Sequence, residues 1–395
     1  KNCCGEPGSL GYEYIDMETF AHMGCDHVMV DWCHAYINPL QTRNEYAIIG
    51  AAIANSSNPE MMYGIWPGGM GKSWKWGTDV GGAYWRVSDD ISNSWSSGTG
   101  GYGSVLHNFD VAYSIPEIAS KTNPGHFTFL DQMVVGVHPA KHDNGDTPYI
   151  NHDDTGTNAI AHTIRSGKPI GGPGLSLIEA QAHMTMWVMA ASPLLTCNDV
   201  RNMTSDIKEI LTNSEVLAVH KDPLAKMAIR VDVGGGVEEA RSGTPCSSMW
   251  SVYQKDLNDG SFAVMVLNRD VKNISVDLLI EDVGDSMHTS YAVRDLWQHK
   301  NLTMASSMRV PIKPDSGDEA TDALSANAIN LEVASHGVRM LRMWPLEPTP
   351  KVACPSGYSN HMSGFWWNTF PCPQSTPTNC SEDSANGTVA LCATK

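Results

Sequence analysis

Short apolar runs and helix-spaced apolar positions alternate along residues 1–227. Residues 14–23 read as a helix and His27–Asp31 as a strand. Glu45–Asn55 is an Ala-rich apolar helix, and a strand follows near Met61–Trp66. Asp110–Ala119 and Phe127–Val137 continue the alternation of helical and extended segments, Leu175–Ala191 is a helix, and Ile207–Asn213 begins another. Strands this short and apolar, interleaved with helices, predict a parallel α/β architecture. Residues 64–104 are rich in Gly, Trp and Ser, a texture that suits active-site loops better than packed elements.

Near residue 228 the pattern changes. Trp250–Lys255, Ser261–Asn268, Asn273–Ile280, Ser290–Leu296, Met308–Ile312 and His336–Met343 read as strands, and Ile274, Val276, Leu278 and Ile280 alternate as the buried face of an antiparallel sheet. Asn258-Asp-Gly260 has the composition of a hairpin turn. A β-sandwich is expected. From Leu346 the chain turns to Pro, Ser, Thr and Asn, with Cys354, Cys372, Cys380 and Cys392, whose three possible pairings the sequence leaves open. The expected division is therefore 1–227, an α/β domain; 228–345, an antiparallel sandwich; and 346–395, a disulfide-stapled tail.

Composition narrows the function classes. The net charge of −17 argues against nucleic acid as a partner and leaves neutral ligands such as sugars open. No run of 18 apolar residues exists, so no membrane span is expected. Ten cysteines, with Asn-x-Ser/Thr sequons at Asn55, Asn202, Asn273, Asn301, Asn379 and Asn386, point to a secreted or endolysosomal glycoprotein. The polar opening Lys1-Asn2-Cys3-Cys4 does not look like a native start, and upstream sequence is expected.

The chemistry begins at Gly24-Cys-Asp-His-Val-Met-Val-Asp31-Trp-Cys33, where an apolar run stops at a carboxylate. Catalytic side chains of a (β/α)8 barrel project from the C-terminal ends of such buried parallel strands. Further on, Trp85-Arg86-Val-Ser-Asp89-Asp90-Ile-Ser-Asn-Ser-Trp95 places paired carboxylates beside an arginine and two tryptophans.

With Cys3-Cys-Gly-Glu-Pro-Gly, Ile15-Asp-Met-Glu-Thr-Phe-Ala21, Met186-Trp-Val-Met-Ala-Ala-Ser-Pro-Leu194, Asn198-Asp-Val-Arg201, Glu215–Leu224, Ala292–Trp297 and His336-Gly-Val-Arg339, these segments resemble glycoside hydrolase family 27. That family comprises retaining α-galactosidases and α-N-acetylgalactosaminidases. The resemblance runs over roughly residues 3–345, in the family's order. It implies a (β/α)8 TIM-type barrel, of which this chain carries only strands 4–8, followed by a β-sandwich and the Cys-rich tail. The missing units are expected in a companion chain or a preceding segment, because open barrel edges expose backbone donors.

The resemblance also implies roles. Asp31 is the nucleophile and Asp90 the general acid/base, flanking the scissile bond about 5–5.5 Å apart. Asp89 is the rival to Asp90, and the spacing from Trp85 to Trp95 favours Asp90. Arg86 would bind a sugar hydroxyl or the nucleophile's charge, Trp66 and Trp95 are candidate sugar platforms, and Cys3 would pair with Cys33. The reaction calls for no cofactor or metal.

This chain also departs from the family pattern. Met29 stands where the family has Lys, Gly64 and Gly82 where it has a disulfide, Ile65 and Gly69 at positions that read the sugar's 2-substituent, and Phe127-Thr-Phe-Leu-Asp131 in place of an acidic, Asn-containing motif. An insertion at 137–173 carries His138, His142, Asp143, Asp146, His152, Asp153 and Asp154, whose spacing fits no standard metal loop and suggests a lid or an interface. The expected function is a retaining exo-α-glycosidase of altered sugar specificity. The alternative is an inactive structural or carbohydrate-binding component of an extracellular assembly.

Overall fold

The computed structural model describes residues 6–33, 41–67, 70–96, 103–137, 174–231, 250–283, 290–303, 305–308 and 325–346. Cys3, Gly69, the histidines and aspartates of the insertion, the tail cysteines, Asn379 and Asn386 lie outside these residues.

The first part is built on four parallel strands in chain order: β1 (His27–Asp31), β2 (Met62–Trp66), β3 (Tyr84–Arg86) and β4 (Phe127–Phe129). Helices α1 (Glu13–His22), α2 (Thr42–Ala54), α3 (Val105–Tyr113) and α4 (Glu117–Lys121) alternate with them. A single parallel bridge, Met133 with Thr196, stands where a further barrel strand was expected. The long helix α5 (Leu177–Met189) closes this part, followed by α6 (Ser205–Thr212) and α7 (Ser214–His220).

Local chemistry sets where these helices begin. Ser176 caps α5, its hydroxyl accepting from Glu179 N while the Glu179 carboxylate reaches back to Ser176 N at 2.8 Å. Ser104 caps α3 by accepting from His107 N at 3.1 Å.

Burial falls steeply across the sheet. All three residues of β3 are buried, whereas β1 is exposed at both ends and half-buried between. Among the described residues β1 pairs on one side only. Leu10, Tyr12, Tyr14 and Ile15, in and just before α1, are exposed.

The second part is the expected sandwich. Strands β5 (Ile229–Val231), β6 (Trp250–Asp256), β7 (Phe262–Asn268), β9 (Tyr291–Asp295), β10 (Lys300–Leu302) and β13 (Val338–Pro345) form one sheet in the order β10-β9-β13-β7-β6-β5. Strands β8 (Ile274–Leu279), β11 (Ala305–Met308) and β12 (Ser325–Val333) form the other, in the order β11-β12-β8. The β6–β7 hairpin turns at the expected Asn258-Asp-Gly260, where Gly260 takes φ +81°.

Every residue of β7 is buried because the larger sheet is covered on both faces. Phe262, Val264 and Val266 pack on the smaller sheet, while Ala263, Met265 and Leu267 pack toward the α/β part. Directed bonds fix that second contact. Arg269 makes two 2.8 Å bonds to the Asp110 carboxylate, the buried Lys255 ammonium donates to Val188 O at 2.9 Å, and Trp297 Nε1 donates to Thr185 Oγ1 at 2.9 Å.

Candidate active site

The four parallel strands end together, at Asp31, Trp66, Arg86 and Phe129. Side chains alternate along a strand, so the register Met29↔Gly64, Asp31↔Trp66 and Gly64↔Tyr84 assigns one shared face. That face carries His27, Met29 and Asp31 from β1, Gly64 and Trp66 from β2, Tyr84 and Arg86 from β3, and Phe127 and Phe129 from β4. Contacts agree with the assignment. Phe129 meets the rings of Trp66 and Tyr84 edge-on at 5.4 and 5.1 Å, and the Arg86 guanidinium lies 4.4 Å from the Trp66 ring centroid.

Arg86 is the hub. Its side chain is 0% exposed, and Nη2 lies 2.6 Å from Asp90 Oδ1 and 3.0 Å from Asp131 Oδ2. A guanidinium cannot shed its proton, so its burial requires these counter-charges. Stacking over Trp66 adds a cation–π contact.

The two neighbouring carboxylates are separated by the loop. Asp90 turns to Arg86, whereas Asp89 turns to His107 of α3, 3.3 Å away at the rim.

Asp131 is the residue the sequence reading left without a role. It follows β4, is buried at 4% exposure, and holds a left-handed φ of +81°, which Asp tolerates better than most residues. Its Oδ2 accepts from Ile91 N and its Oδ1 from Gln132 N, both at 2.7 Å, and Trp187 Nε1 donates to its carbonyl at 2.8 Å. Burial pushes its carboxyl pKa up, against the pull of Arg86 and the two N–H donors. The cue that found Asp31, an apolar strand running into a carboxylate, is also present in Phe127-Thr-Phe-Leu-Asp131.

Asp31 ends the least buried of the four parallel strands. Its Oδ1 accepts from Trp32 N at 2.6 Å, Trp32 stacks on Tyr46 at 5.4 Å, and the Tyr46 hydroxyl donates to Val30 O at 3.0 Å, so α2 holds the strand's end. The residue is exposed at the strand's end, yet the protein around it partly desolvates the carboxyl and raises its pKa. The Trp32 N–H opposes that rise, the charge of Asp90 adds to it, and Arg86 opposes it. Both Asp90 and Arg86 are therefore within electrostatic reach of Asp31. Cys33, two residues on, is disulfide-bonded, and the expected partner Cys3 lies outside the described residues.

Two expectations change. Trp95 is 5% exposed, and its ring stacks on His336 of the sandwich at 5.4 Å, itself held by Glu179 at 2.8 Å. The ring is part of the contact between the two parts of the chain and offers no platform to a sugar. Ile65 falls on the opposite face of β2 from Gly64 and Trp66, fully buried, so it does not line the site.

The same packing explains the paired glycines. A Cβ on Gly64 would lie 2.3 Å from the Tyr84 ring, and one on Gly82 would lie 2.5 Å from Ile65 Cδ1. Two large neighbours fill the space. The described sequons, Asn55, Asn202, Asn273 and Asn301, are all exposed.

Comparison with known proteins agrees with this architecture. The family described as "Alpha galactosidase A" matches residues 1–148 and 167–222, and the "Alpha galactosidase C-terminal beta sandwich domain" matches 247–343. An alpha-galactosidase A of Cellvibrio japonicus is 28% identical over 352 residues, covering 87% of this chain and 69% of its own length. Alpha-galactosidase 3 of Arabidopsis thaliana is 28% identical over 317 residues, covering 80% of this chain and 59% of its own. The crystal structure of alpha-galactosidase I from Mortierella vinacea shares the fold with a TM-score of 0.63 at 24% identity, over 87% of this chain and 74% of that one. On the two matching domains, in the order the fold requires, the chain belongs to the α-galactosidase family, glycoside hydrolase family 27.

Proposed function

We propose that this chain forms the catalytic face of a retaining exo-α-glycosidase acting on terminal α-linked sugars. The observation that carries the reading is the Asp31–Arg86–Asp90 grouping at the ends of parallel strands, with Asp90 ion-paired to Arg86 and its charge felt at Asp31. Retaining hydrolysis needs two such carboxyl groups. The Asp31 carboxylate attacks the anomeric carbon while the glycosidic C–O bond breaks and Asp90 gives its proton to the departing oxygen. A glycosyl ester on Asp31 results. Asp90, now a carboxylate, takes a proton from water as that water attacks the same carbon, releasing the sugar with its original configuration and freeing Asp31.

The named relatives act on α-galactosides, which makes galactose the first sugar to test. Met29 shares the inner face with Asp31, so an apolar side chain lines the site where the family resemblance implies Lys. This supports an altered specificity. Among the described residues β1 pairs on one side only, and this with the exposed side chains of and before α1 supports pairing there with further βα units of a barrel.

The test is hydrolysis of a panel of aryl α-glycosides by the full chain, with the anomeric configuration of the first product read by NMR. Turnover with retention is expected. Inversion would refute the double displacement. Sugar binding without turnover by folded protein would favour the non-catalytic, carbohydrate-binding alternative.

A further inference from the structure

We infer that Asp131 is a positioning residue for the Asp90 general acid, an inference that rests on the glycosidase reading above. Asp90 is 62% exposed on a loop, so its own packing does not hold it in place. What holds it is a short set of bonds. Its carboxylate meets Arg86 at 2.6 Å, its carbonyl accepts from Gly103 N at 2.7 Å, and the Asp89 carbonyl accepts from Asn108 Nδ2 at 2.9 Å.

Asp131 controls two of the groups that flank Asp90 with a single oxygen. Its Oδ2 receives Ile91 N, the amide that follows Asp90, at 2.7 Å, and also faces Arg86 Nη2, the atom paired with Asp90. Its other oxygen is occupied by Gln132 N, and its carbonyl by Trp187. With 4% exposure and every oxygen engaged, Asp131 has no path to a substrate proton. Its left-handed backbone also shows a residue held by its surroundings in a conformation that side chains seldom adopt. Proton donation requires the acid within hydrogen-bond reach of the leaving oxygen, so a loop released by a fraction of an ångström loses acid catalysis first.

The experiment compares the full chain with Asp131→Asn, which tolerates the same backbone but loses the charge and one acceptor. Two aryl α-glycosides of one sugar are used. One leaves as dinitrophenolate, which needs no proton, and the other as a weakly acidic phenol. The kcat/KM value reports the glycosylation step in which the acid acts. For the weakly acidic phenol it should fall by about tenfold or more, and for dinitrophenolate by less than about threefold. Equal losses on both substrates, or no loss on either, would overturn the inference, because a merely loosened fold does not distinguish leaving groups. If Asp131→Asn does not fold by circular dichroism, Arg86→Lys decides. It leaves the Asp131–Ile91 bond intact but draws the cation back from the Asp90 and Asp131 carboxylates, and the same leaving-group signature is expected, with equal loss overturning the inference. A wild-type chain inert toward both glycosides would refute the glycosidase reading, and this inference with it.

Discussion

Asp31 and Asp131 are carboxylates at the two sides of one site, and burial raises the pKa of both, yet the fold treats them in opposite ways. Asp131 is enclosed, with a guanidinium and two backbone amides on its oxygens. Asp31 stands at the end of the edge strand, open to solvent, and accepts an N–H from its own neighbour Trp32. A carboxylate meant to react must be reachable by substrate. One meant to hold others in place can be enclosed by the groups it holds. The contrast separates a reacting group from a supporting one without reference to either residue's sequence neighbours.

The strongest way to break this contrast is Asp31→Asn. Turnover should fall by about 10³-fold or more, since no other described carboxylate shares its strand's inner face. Stability should not fall with it. A carboxyl whose folded pKa is raised favours the folded state fully below its unfolded pKa, and that contribution is lost as pH rises through the folded pKa. At neutral pH the ionised Asp31 is thus a net cost that Asn removes. The variant should melt at or above the wild-type temperature at pH 7, with the difference vanishing in acid. A lower melting temperature at pH 7 would mean that Asp31 is structural, as Asp131 is. The same raised pKa places the acid limb of the wild-type kcat/KM profile above the ordinary Asp value of about 3.9.

Much of this was legible in the sequence, and the omissions have physical causes. His27–Asp31 reads as a strand because the apolar run Val28 to Val30 ends in a carboxylate, and the structure gives those bounds. The sandwich was readable from alternation at Ile274, Val276 and Leu278, while β5 and β10, three residues each, are too short to show a period. Asp90 over Asp89 could be favoured only through a family spacing, because the choice depends on which carboxylate the chain turns toward Arg86. Trp95 was misread as a sugar platform because its partner, His336, is supplied by another domain. Ile65 could have been placed correctly from alternation alone, counting from Trp66.

The contrast sharpens at the brace between its two sides. Tyr84 of the buried strand β3 reaches over Gly64 to hydrogen-bond His27 of the edge strand β1 at 2.7 Å. Gly64→Ala would place a methyl group 2.3 Å from the Tyr84 ring and should destabilise the chain by about 1–3 kcal/mol. The loss should shrink when Tyr84→Ala is made with it, since the clash is with that ring. A double-mutant cycle from denaturant melts measures this coupling, expected at about 0.5 kcal/mol or more. Additive effects would show that the missing family disulfide has left an unfilled gap at Gly64, and that Tyr84 does not fill it.

The smallest expected effect is the most local. Burial lifts the Tyr84 hydroxyl to a pKa of about 12 and lowers that of His27, so at neutral pH a neutral ring and a protonated phenol face each other. Tyr84→Phe keeps the edge-on contact with Phe129 and removes only the bond to His27, which should cost about 1 kcal/mol. Its location matters more than its size. The brace spans from a strand buried throughout to one that, among the described residues, pairs on one side only, so the bond should matter most to the second. Amide exchange should accelerate in β1, at Val28 to Val30, while the amides of β3 stay protected. Uniform acceleration across the sheet would mean that the edge strand is held by its ladder to β2 and that the brace is incidental. Faster exchange confined to β1 would show that Asp31 is kept in register with Arg86 by a contact made at the opposite end of its own strand.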